Sequence, residues 1–209
     1  MINKNEGYGN ALVEVIKSDS VIELSTDYLE LGASMLTDIP LVKTVMGIFK
    51  VTSTIRDQFL YTKIARFLSQ LADISIKERK RMVDQLNESD KFANKLGETL
   101  IEIIDRLESS KKPELAAKCF IAFVKEKISY LELRHMLYAL EKIPSFSIDR
   151  LKSFSTASNS NFEPSRSIDE STLLIFVNAG LGQNNGGFDG GIILPTKLCK
   201  LFISSEVIS

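Results

Sequence analysis

Ser129-Tyr130-Leu131-Glu132-Leu133-Arg134-His135-Met136-Leu137-Tyr138-Ala139-Leu140 is the stretch that decides how this chain folds. A Ser followed three residues later by Glu is a capping box. The Ser oxygen accepts a hydrogen bond from an amide one turn in, and the carboxylate reaches back to the Ser amide. Behind that start, Leu133, Met136, Leu137 and Leu140 recur at helical spacing, so the segment predicts a helix with one oily face that stops before Pro144. The same signal occurs at Ser75-Ile76-Lys77-Glu78 and at Ser20-Val21-Ile22-Glu23, each leading into apolar residues with a 3.6 period. One match is weak evidence; three make a helical body.

Working outward, the spacing predicts a short helix over 10–16 and another over 21–36. A longer pattern runs from Pro40 to Leu71 and would reach about 45 Å at 1.5 Å per residue. Its β-branched cluster Val51-Thr52-Ser53-Thr54-Ile55 is the weakest helical stretch, and a bend or break is expected there. Further helices are predicted over 76–87, 90–108, 113–127 and 148–154, with the 130s helix between the last two. Short connections between antiparallel neighbours imply a bundle.

Ser153 to Ser171 changes character: seven of its nineteen residues are Ser. Such a stretch buries too little apolar surface to offset its ordering entropy, and a flexible linker is predicted. A fourth box, Ser167-Ile168-Asp169-Glu170, restarts helix, with Gly180 placed as its stop. Asn184 to Gly191 followed by Ile192-Ile193-Leu194 reads as a two-stranded ribbon with a flexible tip, and Thr196 as the cap of a last helix carrying Leu198 and Phe202. The expected fold is therefore all-α: a bundle of six to eight helices over 1–152, the linker over 153–171, and a small wing-like appendage of helix, β-ribbon and helix over 172–209.

Composition removes whole classes of function. With 209 residues the chain buries enough surface to fold without a metal or disulfide staple. Lys plus Arg is 26 against 27 Asp plus Glu, so no global field steers it toward nucleic acid or anionic lipid. One His and two Cys exclude a His-triad metal site and a zinc ribbon. Cys119 lies on an apolar helical stripe and reads as a small core residue. The polar start has no apolar h-region, and no run of about 18 uncharged apolar residues occurs, so neither a signal peptide nor a spanning helix is expected. The expected compartment is the cytoplasm.

The glycines of 186–191 lack the Gly-Lys-Ser/Thr ending and strand-to-helix context of a phosphate loop. A DNA-reading wing would need bases, yet 155–209 holds three (Arg166, Lys197, Lys200) against five acids. His135 has no second His and no Cys nearby, and the nine acids and nine bases of 73–112 alternate as on a solvated face. No catalytic, cofactor-binding or metal-binding residue is predicted.

Two features stand out. Residues 1–31 hold six acids and two bases, whereas 32–71 hold two acids and five bases, which suits an acidic hairpin packed on a basic neighbour. From Ile39 to Val51, eight of thirteen residues are large and apolar, and Lys43 and Lys50 are the only charges. Such a helix is a central core helix, or else an interfacial one that anionic lipid would attract. Arg56, Asp57 and Lys63 follow among apolar neighbours, which suits a buried ion pair fixing helix register. The candidate partner- or membrane-binding residues are Val45, Ile48, Phe49, Arg56 and Lys63.

At Asp38-Ile39-Pro40-Leu41-Val42, Lys50, Ile55-Arg56-Asp57, Lys63 and Phe67-Leu68, the chain resembles a group of poorly characterised bacterial helical proteins, some of which accompany phage-defence and abortive-infection genes. The likeness covers about residues 20–70. The ending Asn178-Ala179-Gly180-Leu181 with Thr196-Lys197-Leu198 is similar to the wing-like tails of abortive-infection proteins. The resemblance implies no catalytic residue. The expectation is a non-enzymatic bacterial protein without cofactor, acting through a protein partner or self-association and not on nucleic acid. The competing expectation is a conditional membrane-perturbing effector that exposes the 39–51 helix.

Overall fold

The computed structural model describes residues 4–23, 45–47, 54–89, 92, 95–109, 111–186 and 191–208. The expected mostly helical architecture with one small ribbon is what these residues form. Two compact units divide between Val124 and Lys125, not at the predicted borders of 152 and 171.

The first unit contains α1 (Lys4–Ile16), α2 (Ile55–Leu71), α3 (Ile76–Asn87), α4 (Leu96–Arg106) and α5 (Lys112–Val124). The break expected in the β-branched cluster is the start of α2. Thr54 is extended, its hydroxyl accepts from the Asp57 amide at 3.3 Å, and the Asp57 carboxylate accepts from the Thr54 amide at 3.0 Å. Ser75 and Glu78 form the predicted box at the head of α3. Ser20 does not cap: helix already includes it over 20–23, and the Ile22 amide donates to the carbonyl of Asp19. Most of the predicted 21–36 and 39–51 helices lies outside the described residues, of which 45–47 are helical.

In this unit α1 packs on α4, and α2 on α4 and α5. The rings of Phe67 and Phe92 both meet Phe120 edge-on, at 5.7 and 6.3 Å between centres, inside a shell of buried Leu, Ile and Met. Two cations of this unit, Arg79 and Lys112, are fully buried. The Arg79 guanidinium donates to the carbonyls of Ile16 (2.8 Å), Ser18 (2.9 Å), Ile74 (2.8 Å) and Leu71 (3.4 Å). These carbonyls lie at and just beyond the ends of α1 and α2, where helices leave acceptors without intrahelical donors. Burial works against the charge of Arg79, and the nearby Asp19 partly restores it. A part-buried ion pair, Arg66 to Glu114 at 2.8 Å, ties α2 to α5.

The second unit contains α6 (Tyr130–Lys142), the short α7 (Ser145–Ile148), α8 (Arg150–Phe154) and α9 (Glu163–Arg166), then α10 (Glu170–Asn178), the antiparallel pair β1 (Gly182–Asn184) and β2 (Ile193–Pro195), and α11 (Lys197–Ser204). The Ser129 box forms as predicted, and its Glu132 carboxyl is held down to about 2 by the Ser129 amide and the Lys197 ammonium. Thr196 caps α11 through the Cys199 amide. Gly180 takes φ +76°, and the Leu181 amide turns back to the Phe176 carbonyl, closing α10 as expected. The cap of α10 is Asp169 rather than Ser167: its carboxylate accepts from the Thr172 amide at 2.9 Å, while the Ser167 hydroxyl donates to the Pro164 carbonyl.

Residues 153–171, expected as a linker, hold the end of α8, a bridge between Ser158 and Asn161, and α9. Phe154, Ala157, Ser165 and Ile168 from this stretch are buried. Its hydroxyls do not all seek water. Ser155 and Thr156 donate to carbonyls three residues back, and Ser165 donates to the Ile193 carbonyl of β2 at 2.5 Å. A few spaced apolar anchors plus self-satisfied serines order a segment that composition alone marks as loose.

Candidate functional site

The five sequence candidates do not share one surface. Val45 is fully buried, as a core helix residue would be; Ile48 and Phe49 lie outside the described residues. Arg56 is 88% exposed in its side chain and stands 3.8 Å from the Asp105 carboxylate. Lys63 donates to the Asp105 carbonyl at 2.7 Å. Both cations therefore meet the C-terminal end of α4, where the helix dipole favours positive charge. Burial lowers the pKa of Lys63, and the Asp105 charge partly opposes that. The register-fixing ion pair expected among Arg56, Asp57 and Lys63 is not what forms. Asp57 caps α2, Arg56 reaches out from the surface, and the part-buried pair is Arg66 with Glu114.

Beside Arg56, α2 also leaves large apolar side chains in water. Ile55 and Phe59, one turn apart, are 74% and 65% exposed on either side of Arg56 in sequence. Large apolar side chains at that exposure, beside an Arg, have the composition of the energetic centre of a protein interface.

The second unit carries two further surfaces. On α6 the outward stripe is Leu131, Arg134, His135, Tyr138 and Lys142, opposite the buried Leu133, Met136, Leu137 and Leu140. Leu131 and Tyr138 are each more than half exposed. The Arg134 guanidinium stands 6.0 Å from the centre of the Tyr130 ring, and the Lys142 ammonium 5.4 Å from that of Tyr138. Elsewhere in the unit a groove of about 400 Å³ opens between α9, α10 and the ribbon, with Leu173, Leu174, Ile192 and Ile193 among its walls and Arg166 and Glu170 at its rim. Gly191 allows the groove its shape. With φ +76° it sits where a Cβ would fall 2.0 Å from the Asn184 side-chain oxygen.

Neither thiol is placed for chemistry. Burial pushes Cys119 far above the ordinary thiol range and Cys199 up to about 12, so both stay protonated. Among the described residues no group of three or more His, Cys, Asp or Glu is arranged to hold a metal, and no helix is long and apolar enough to cross a membrane. Sequence reasoning missed the α6 surface although its signal was present. Leu131, His135, Tyr138 and Lys142 form a second stripe at helical spacing on the side away from the core. The groove had no such signal, because its walls come from segments some twenty residues apart that only folding brings together.

No protein-family model, curated protein or solved structure matches this chain. The functional reading therefore rests on the chemistry of these surfaces.

Proposed function

We propose that the protein works by binding other protein chains through apolar patches held on rigid helices, and catalyses nothing itself. The observation that carries this reading is Ile55 and Phe59 standing open to solvent on the first turns of α2 beside the exposed Arg56. Apolar surface of this kind is costly to leave in water and is where partner binding energy concentrates. The resemblance over residues 20–70 to proteins that accompany abortive-infection genes supports a bacterial setting in defence against phage. A cytoplasmic place of action belongs to the same proposal.

The test is a photo-crosslinking residue at position 59 in cells making the full chain, with the same residue at the exposed Glu88 of the α3 end as control. Adducts of defined mass from position 59 and none from 88 are the expected result; no adduct, or the same pattern from both, overturns the reading. Flotation with anionic vesicles addresses the competing membrane effector. Recovery that survives high salt and is lost in Phe59→Asp would transfer the patch to lipid.

A further inference from the structure

We infer that Asn185 is a site of covalent modification, converting to aspartate and isoaspartate through a succinimide, and that the side chain of Asn184 governs how fast it does so. Asn185 is the only Asn of the chain that precedes a Gly. In that dipeptide the Gly186 nitrogen approaches the Asn185 side-chain carbonyl with no Cβ of its own in the way. The Gly186 amide gives its proton to hydroxide, its nitrogen bonds to Asn185 Cγ, and the Cγ–Nδ2 bond breaks, releasing ammonia once water protonates it. Water then opens the succinimide ring at either carbonyl. One opening leaves aspartate. The other leaves isoaspartate, with Cβ in the main chain and the former backbone carbonyl as a free carboxylate.

The ribbon prepares one reacting group and restrains the other. The Ile192 amide donates to Asn185 Oδ1 at 2.8 Å, which draws electrons from Cγ and favours attack on it. The Asn185 amide donates to the Ile192 carbonyl at 3.0 Å, so this pair continues the ladder one step beyond Asn184 and Ile193. The attacking nitrogen is held: the Gly186 N–H donates to Asn184 Oδ1 at 2.8 Å. Once the proton leaves, the lone pair lies where the hydrogen lay and points at Asn184, so attack on Asn185 must first break that contact. Gly191, at φ +76°, lets the Asn184 amide sit there, because a Cβ at 191 would fall 2.0 Å from its oxygen. Asn184 is thus a positioning residue that slows the reaction of its neighbour. Asn184, Gly191 and Ile192 also line the groove between α9, α10 and the ribbon, so the modification falls on a wall of that groove. Aspartate keeps an acceptor for the Ile192 amide, whereas isoaspartate, with its longer main chain, cannot keep both bonds to Ile192.

Peptide mapping by tandem mass spectrometry on the full chain, aged in mildly alkaline buffer, tests this. Native wild type should convert at Asn185 before Asn159, Asn161, Asn178 or Asn184, with isoaspartate as the main product and faster exchange of the Ile192 amide in that product. Asn184→Ala should raise the native rate about threefold, the equivalent of one modest net hydrogen bond. In urea, where no ribbon orients the Gly186 nitrogen, it should change nothing. Asn184→Asp offers the N–H a charged, stronger acceptor and should cut the native rate to about half or less. That variant decides the matter if Asn184→Ala opens the ribbon. Gly186→Ala should suppress the reaction in both states. Earlier conversion of another of these Asn residues, or conversion undiminished by Gly186→Ala, overturns the inference. So does a native Asn184→Ala rate equal to wild type or raised equally in urea, an Asn184→Asp rate at or above wild type, or an isoaspartate product with unchanged Ile192 exchange.

Discussion

Arg79 shows how much of the first unit rests on one side chain. Four carbonyls from the ends of α1 and α2 converge on a guanidinium that is 1% exposed. The charge is tolerated there because its donors are spent on helix ends whose partial negative charge suits it. Removing the group strands those acceptors away from water, which costs more than the bonds themselves contribute on balance. Arg79→Met keeps much of the volume and should lower stability by roughly 3–5 kcal/mol in urea unfolding, the range for breaking a buried charged network. Arg79→Lys retains the charge but only a point donor on a shorter reach, so it should recover less than half of that loss. Equal stability of Arg79→Met and wild type would mean that water already satisfies these carbonyls.

At the scale of the element, three helix starts fixed by a side-chain cap were legible, and the starts of α1 and α4 were not. α3, α6 and α11 start where Ser75, Ser129 and Thr196 say, because the cap is a local bond between residues three apart. α4 begins six residues later than its apolar pattern suggests, at Leu96, and its preceding residue Lys95 makes no side-chain cap. α1 begins six residues earlier than predicted and runs through Gly7 and Gly9, which propensity argues against. The reason lies on α4. Gly9 and Gly97 bring the two backbones into contact, and a Cβ on Gly97 would stand 2.0 Å from the Gly9 carbonyl oxygen, whereas a Cβ on Gly7 meets nothing within 4 Å. Two Gly→Ala substitutions should therefore act in opposite directions. Gly7→Ala should stabilise by about 0.5–1 kcal/mol through helix propensity alone. Gly97→Ala should destabilise by about 3 kcal/mol or more, since backbone on both sides leaves no flexible side chain to yield. Thermal unfolding of the pair decides it; a milder effect at 97 than at 7 would show that the crossing opens freely.

For the whole molecule, the sequence signalled a helical protein with a ribbon near its end but placed the division of the chain wrongly. Serine density marked 153–171 as a boundary, yet the apolar anchors Phe154 and Ile168 stitch that stretch into the second unit. The candidate site suffered similarly: Val45 serves the core, while the outward stripe of α6 has the look of ordinary surface. Each unit has its own aromatic centre, Phe120 with Phe67 and Phe92 in one, Phe154 with Phe176 at 5.0 Å in the other. Units with separate cores should open separately, because deleting a side chain from one core leaves the packing of the other intact. Phe120→Ala and Phe176→Ala each delete a fully buried ring and should each cost about 3–5 kcal/mol locally. In hydrogen exchange on the full chain, Phe120→Ala should speed exchange in α2, α4 and α5 while α6, α10 and α11 keep their wild-type rates. Phe176→Ala should do the reverse. If either variant instead raises exchange evenly across all six helices, the two cores unfold as one, and the division between Val124 and Lys125 has no energetic meaning.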